Sequence, residues 1–380
     1  MFVHRLHLSH FRTYARMDLD LQPGPNLLFG ENGAGKTNLL EGIVFAATGR
    51  SPRASSDQEL IQWEETVGLA RVDITTQRRG DLSLEVALTA GASRRIKING
   101  VVRPRAGDLV GLAPTVQFWP DDLDVIKGEP SGRRRFLNSE IGSLSRSYDW
   151  HLTRYQRVVE QRNRLLREHR GRALPAAALA GWDEQLLEHG SHLVYQRSIY
   201  LRRLSAETRA VYPRIAGKEQ ELNIRYLPAL GDEEGEAVAA ENETSQARFG
   251  ELLAQGLERR RDEERQRGLT LIGPHRDDVE FLLEGRSLRA FGSQGEQRSA
   301  MIAVRVALFG LVRGKMDEPP LLVLDDVFSE LDPRRREGLL RSLAGAEQFI
   351  ITGTDPEALP SELLADARVF VVSGGQVTPR

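Results

Sequence analysis

The octet Gly30-Glu31-Asn32-Gly33-Ala34-Gly35-Lys36-Thr37 constrains this chain more than any other feature. Its glycines let backbone N–H groups wrap a phosphate chain at a helix N-terminus, while the lysine and threonine place an amine and a hydroxyl at the outer phosphates. Such a pattern arises by chance in roughly one chain of this length in a hundred. The flanks agree with it: Asn26–Phe29 is a short apolar run, and Leu39, Leu40, Ile43, Val44 and Ala47 then recur at helical spacing. Strand, loop and helix in that order predict an α/β nucleotide-binding core, with Gly30, Glu31, Asn32, Gly33, Ala34, Gly35, Lys36 and Thr37 around the phosphates. Lys36 is expected at the β/γ-phosphates of ATP, and Thr37 at Mg²⁺.

A second element stands far along the chain. Leu321-Leu322-Val323-Leu324 is an apolar strand that ends in Asp325-Asp326, at the strand end where parallel sheets present their ligand sites. Taken alone, such a run is more often a strand entering a turn; paired with the octet, it carries chemistry. Asp325 is then expected to hold Mg²⁺, directly or through water. Asp326 is expected to orient or deprotonate the attacking water, because phosphoryl transfer asks the protein mainly for positioning and charge stabilisation. Lys36 and Asp326 are therefore the catalytic candidates.

Composition excludes several classes. The 380 residues carry 52 Lys and Arg against 54 Asp and Glu, a formal net charge of −2, so any nucleic-acid binding must come from locally clustered arginine. Zero cysteines exclude disulfides and cysteine-based metal sites, and suit a reducing cytoplasm. Met1–Phe11 mixes His4, Arg5, His7 and His10 among its apolar residues, unlike a signal peptide. The longest apolar stretch, Ser299–Val312, is interrupted by Arg305, so no membrane span is expected.

The length predicts more than one lobe. Residues 1–130 are expected to form the first part of the ATPase domain, including an antiparallel β subdomain, since Leu82, Leu84, Val86 and Leu88 alternate. Residues 131–268 read as an inserted helical lobe, with apolar stripes among Arg and Glu in Tyr148–Arg170, Trp182–Val211 and Arg248–Arg267. The acidic stretch 232–243 inside it reads as an exposed loop. Residues 269–380 return to α/β pattern, with an apolar helix around Ala300–Leu311 and strands at Leu321–Leu324 and Phe349–Thr352.

Ser293-Gln294-Gly295-Glu296-Gln297 stands directly before that apolar helix and looks like the signature loop of ABC ATPases, departing from the usual pattern at Gln294 and Glu296. Ser293 and Glu296 also have capping-box spacing, and the two readings are compatible, since a capped helix N-terminus still presents amides to phosphate. Asp332-Pro333 suits a helix start and also occupies the D-loop position of ABC ATPases.

In the order of these elements the chain resembles the ABC ATPase heads that bind DNA, the group containing SMC proteins and RecF. Leu8-Ser9-His10-Phe11-Arg12-Thr13-Tyr14, Phe118-Trp119-Pro120-Asp121-Asp122-Leu123 with Arg133-Arg134-Arg135-Phe136-Leu137, and Gly273-Pro274-His275-Arg276-Asp277-Asp278 narrow the resemblance to the RecF family, over essentially the whole chain. It implies an ABC-type head with the β subdomain and helical lobe, nucleotide at Gly30–Thr37, Mg²⁺ at Thr37 and Asp325, and trans recognition of nucleotide by Ser293 and Gly295. Gln117 is a Q-loop candidate by position. Thr352-Gly353-Thr354-Asp355 occupies the place of the usual switch histidine, and Asp326 that of the catalytic glutamate of many ABC proteins, so hydrolysis is expected to be slow.

The resemblance further implies an ATP-dependent homodimer on double-stranded DNA near single-strand gaps, weak DNA-stimulated ATPase activity, and work with RecO and RecR in loading RecA during repair, replication and the SOS response. Arg154, Arg157, Arg162, Arg164, Arg167 and Arg170 are candidate phosphate contacts, although most such faces are solvated and paired with Glu. His275 beside Pro274 reads as structural. The alternatives are a small-molecule P-loop kinase with Asp326 as base, and a transporter-type ABC subunit. The latter is opposed by the long separation, residues 38–292, between phosphate loop and signature.

Overall fold

Alternating burial builds the first sheet of this protein. The computed structural model describes residues 1–170, 176–231, 244–316, 318–356, 359 and 361–380, and the acidic stretch 232–243 lies outside the described residues. Strand β1 (Phe2–Phe11) buries Val3, Leu6, Leu8 and Phe11, and a register shift between Val3 and Arg5 carries the alternation through. It pairs antiparallel with β2 (Tyr14–Asp20) and β4 (Val67–Thr76). With β5 (Gly80–Thr89), β6 (Arg95–Ile98) and β7 (Val101–Arg103) they form a six-stranded sheet of order β2-β1-β4-β5-β6-β7. This is the expected antiparallel β subdomain.

The second sheet has the order β15-β14-β3-β13-β12-β8, from β3 (Gly24–Phe29), β8 (Thr115–Phe118), β12 (Leu321–Leu324), β13 (Gln348–Gly353), β14 (Arg368–Ser373) and β15 (Gln376–Pro379). All pairs but β14–β15 are parallel. Every residue of β12 is buried, as its unbroken apolar run requires of a central parallel strand. Helix α1 (Lys36–Thr48) supplies the shared core with Leu39, Leu40, Ile43, Val44 and Phe45, each at most 1% exposed. Each such side chain contributes on the order of 2 kcal/mol of burial energy. Because the parallel strands run the same way, their C-terminal ends present the octet, Gln117, Asp325, Asp326 and Thr352 along one edge.

The described chain divides into two units. The first comprises Met1–Asp122, Pro213–Lys218 and Ser299–Arg380; the second comprises Leu123–Tyr212 and Glu219–Arg298. Residues 269–298, joined by sequence to the second ATPase segment, thus fold with the lobe. The reason is a strand within the expected helical lobe: β9 (Leu222–Leu227) pairs antiparallel with β10 (Asp278–Leu283), which also pairs with β11 (Arg286–Ser287). The helices α2 (Leu123–Lys127), α3 (Pro130–Leu144), α4 (Arg146–Glu168), α5 (Ala176–Ala216) as far as Tyr212, α6 (Gln246–Arg267) and α7 (Leu288–Phe291) complete the lobe. Helix α8 (Gln294–Met316) begins in it.

Buried ion pairs, not phosphate contacts, account for part of its arginine. Arg162, 2% exposed, donates to Asp183 at 2.8 Å, Glu264 at 2.7 Å and Thr270 at 2.9 Å, which corrects its place among the phosphate-contact candidates. Arg164 pairs with Glu168 at 2.9 Å, and Arg154 lies 4.0 Å over the Trp150 ring. In the segment Gly273–Asp278, the fully buried Asp277 accepts from Arg197 at 2.7 Å, from the Tyr226 hydroxyl and from the Ala229 amide at 2.9 Å. His275 is structural as expected: Nε2 donates to Thr270 O at 3.0 Å, leaving Nδ1 to accept from Tyr155 at 2.7 Å.

This packing makes the lobe acid-sensitive. Burial pushes His275 and His151 down to about 4 from the ordinary 6.5, and His192 and His189 reinforce the shift of His151. Folded protein therefore binds fewer protons than unfolded chain below pH 6.5, so this contribution is full above 6.5 and lost as pH falls toward 4. The urea midpoint is expected to fall across that window, and His151→Asn to remove part of the slope. A midpoint independent of pH there contradicts the assignment.

Candidate nucleotide-binding site

The phosphate loop bridges β3 and α1, and its glycines answer to particular neighbours. A side chain at Gly30 would meet the Val372 carbonyl at 2.1 Å, which backbone cannot yield. Gly35 adopts φ +106 immediately before α1, a left-handed conformation that only glycine takes without strain. Glu31, Asn32 and Gly33 are exposed, so the mouth of the loop is open to solvent. Lys36 is 7% exposed and folds back along the loop, donating to Gly30 O at 2.7 Å and Glu31 O at 2.9 Å. Burial lowers its pKa, and Asp326 and Asp325 oppose that shift.

Asp325 is 3% exposed and doubly held. Its Oδ2 accepts from Thr37 Oγ1 at 2.7 Å, and its Oδ1 accepts from Thr352 Oγ1 at 2.6 Å. Burial raises its pKa against those hydrogen bonds and against Arg53. Asp326 takes a left-handed turn at φ 51, ψ 24, with its amide donating to Thr352 Oγ1 at 3.0 Å. Its Oδ1 is buried without a hydrogen-bond partner. A buried acceptor left unpaired is costly, and here it stands beside the one carboxylate tied to Thr37. Threonine hydroxyl and carboxylate oxygens are the hard donors that Mg²⁺ takes when substrate phosphates complete its shell, so the residues fit that ion. Among the described residues no cluster of three or more His, Cys, Asp or Glu could hold a metal by itself.

Gln117 sits on β8 opposite Val323 of β12, and its Oε1 accepts from the Trp119 indole at 2.8 Å. Asp122 of the same segment accepts from the Trp119 amide and from Arg305 Nε, both at 2.9 Å, so it holds structure. Ser293 and Gly295 belong to the second unit. Ser293 is exposed and forms the expected capping box: its amide and hydroxyl donate to Glu296 Oε2 at 2.9 and 2.8 Å, and the Glu296 amide donates to Ser293 Oγ at 3.3 Å. Asp332 caps the helix α9 (Pro333–Ser342) through the Arg335 amide at 3.0 Å, as its sequence position predicts.

Sequence reasoning assigned no site role to two residues that touch this site. Tyr14, fully buried, donates its hydroxyl to Gly35 O at 3.0 Å, the carbonyl that also accepts the first helical bond from Leu39 at 3.1 Å. Thr352 bridges both aspartates. Tyr14 falls within a quoted family segment but sixteen residues before the loop, and Thr352, named above only in the segment that replaces the usual switch histidine, is an ordinary strand threonine by spacing.

The family model described as RecF/RecN/SMC N terminal domain matches residues 2–374. The chain is 42% identical over 378 residues to the DNA replication and repair protein RecF of Symbiobacterium thermophilum, covering 99% of this chain and 98% of that one. Against the protein of the same description from Halalkalibacterium halodurans the identity is 34% over 378 residues, with 99% of each chain covered. A solved structure of the recombination mediator protein RecF with ATP, in the RecFOR pathway, aligns at TM-score 0.89 and 28% identity, covering 100% of this chain and 97% of that one. An Smc head bound to the C-winged helix domain of ScpA shares the fold at TM-score 0.53 and 14% identity, covering 100% of this chain and 97% of that one.

Proposed function

Since the chain belongs to the RecF family of the RecF/RecN/SMC N-terminal domain group, we propose that it is an ATP-dependent DNA-binding protein of recombinational repair and replication, switched by its own slow ATP hydrolysis. The observation that carries this is the convergence of the phosphate loop, the Thr37–Asp325 bond and the unpartnered Asp326 oxygen at one sheet edge, in a chain related to RecF along its whole length.

Residues 30–37 bind the phosphates, and Lys36 exchanges its two loop carbonyls for β/γ-phosphate oxygens. Mg²⁺ held by Thr37 and Asp325 supplies charge neutralisation at the phosphates when bound. Asp326 orients the attacking water and takes up its proton through the free Oδ1, as the water oxygen bonds to the γ-phosphorus and the bond to the β-bridging oxygen breaks. Gln117 lines the same edge. Ser293 and Gly295 of a second copy cover the γ-phosphate, so ATP binds the head-to-tail homodimer better than the monomer and shifts the population toward it. Hydrolysis removes the contact and releases the dimer.

The partners proposed are double-stranded and gapped DNA, which stimulates the weak ATPase, and RecO and RecR, which the dimer joins in loading RecA in the cytoplasm. Phosphate contacts make the DNA affinity fall steeply with salt and depend little on sequence. No described helix is long and apolar enough to cross a membrane, and no observation favours the transporter or kinase alternatives.

Light scattering tests the switch. The expected result is a monomer that doubles in mass only with MgATP, more readily on duplex DNA, and a Ser293→Arg variant that binds ATP and stays monomeric. Normal dimerisation of Ser293→Arg sinks the trans sandwich.

A further inference from the structure

We infer that Thr352 is a positioning residue for ATP hydrolysis, setting both acidic side chains through one hydroxyl. The inference rests on the nucleotide-site reading above and adds to it a residue at which no charge or metal contact is needed. Thr352 is 2% exposed near the end of β13, the strand between β12 and β3. Its hydroxyl has a single proton, which it donates to Asp325 Oδ1 at 2.6 Å, leaving a lone pair to accept the Asp326 amide at 3.0 Å.

Each bond has a separate consequence. The first leaves Asp325 Oδ2 turned to Thr37 Oγ1, 2.7 Å away. The second anchors Asp326 in its left-handed turn, a conformation that aspartate tolerates better than most side chains and that the amide bond to Thr352 holds in place here. That turn places the Asp326 Oδ1 in its buried, unpartnered position. Without the hydroxyl, the Asp326 backbone loses its anchor and Asp325 loses half of its fixation, while the phosphate loop keeps all of its own bonds to Tyr14, Glu31 and Gly353. Rate should therefore suffer and nucleotide affinity should not, because catalysis is sensitive to displacements of about 1 Å that binding tolerates.

The test compares Thr352→Ala with Thr352→Ser, which differ only by the hydroxyl. For MgATP hydrolysis, Thr352→Ala is expected to lower kcat about 10- to 100-fold with KM within about threefold of the parent. Thr352→Ser recovers most of the rate. Thr352→Val, which keeps the β-branched shape, replaces the alanine variant if that variant does not fold. Equal kcat in the alanine and serine variants, or a loss confined to KM, overturns the inference. Lys36→Ala run alongside separates the two failures: if it hydrolyses ATP as fast as the parent, the nucleotide-site reading itself falls.

Discussion

Lys36→Ala is expected to raise the dissociation constant for ATP by about 10²- to 10³-fold. The amine makes two hydrogen bonds to the loop carbonyls of Gly30 and Glu31 from a position 7% exposed. It is thus already placed at the loop when nucleotide arrives, and little ordering cost remains. Charge-assisted hydrogen bonds contribute roughly 1.5–3 kcal/mol each, and two of them lost near the lower end of that range, about 3–4 kcal/mol, correspond to this loss of affinity. The carbonyls it leaves belong to an open loop and can take water in its place, so the fold should survive. Titration calorimetry with ATP measures the loss directly, and dimerisation and DNA-dependent behaviour should disappear with it. A variant that binds ATP within threefold of the parent contradicts the assignment of this loop.

Asp277→Ala is expected to cost about 3–5 kcal/mol of stability while leaving nucleotide affinity untouched. Arg197 is 1% exposed and donates to Asp277 at 2.7 Å and to Pro274 O at 2.6 Å. Removal of the carboxylate leaves its charge buried with only neutral partners. The Tyr226 hydroxyl and the Ala229 amide lose an acceptor at the same time. For a folding unit of this size, that loss lowers the thermal midpoint by about 10 °C. Circular dichroism melting measures it, and ATP binding well below the transition serves as the control. A loss of ATP affinity in folded protein, with an unchanged midpoint, makes the Gly273–Asp278 segment part of the nucleotide machinery instead of the frame of the lobe.

Legibility followed the range of the interactions. The octet, the strand Leu321–Leu324 and the caps at Ser293 and Asp332 were readable because each is set by neighbours within a few residues: a helix end needs its acceptor three positions away, and a central strand needs every side chain apolar. The β subdomain was readable for the same reason, since alternation is a local property. Arg162 misled because an arginine in an amphipathic helix has the same spacing whether it faces solvent or the buried Glu264 and half-buried Asp183. The lobe boundary misled because β9 and β10 pair across some fifty residues of chain: each segment alternates apolar and polar side chains, but alternation within a strand does not say which distant strand it pairs with.

The glycine-rich octet, the two acidic residues at a strand end, the capped helix after Ser293 and the segments of one family could all be read before any fold was known, because those features are written in adjacent residues. It took the folded arrangement to show that Tyr14 supports Gly35, that Thr352 joins Asp325 to Asp326, and that Asp326 Oδ1 has no hydrogen-bond partner. The Thr352 contacts join β13 to the end of β12, in a sheet whose order, β3-β13-β12-β8, differs from the order in the chain, and Tyr14 comes to Gly35 from the other sheet. A hydrogen bond depends on where two backbones are brought, and no count of intervening residues carries that information.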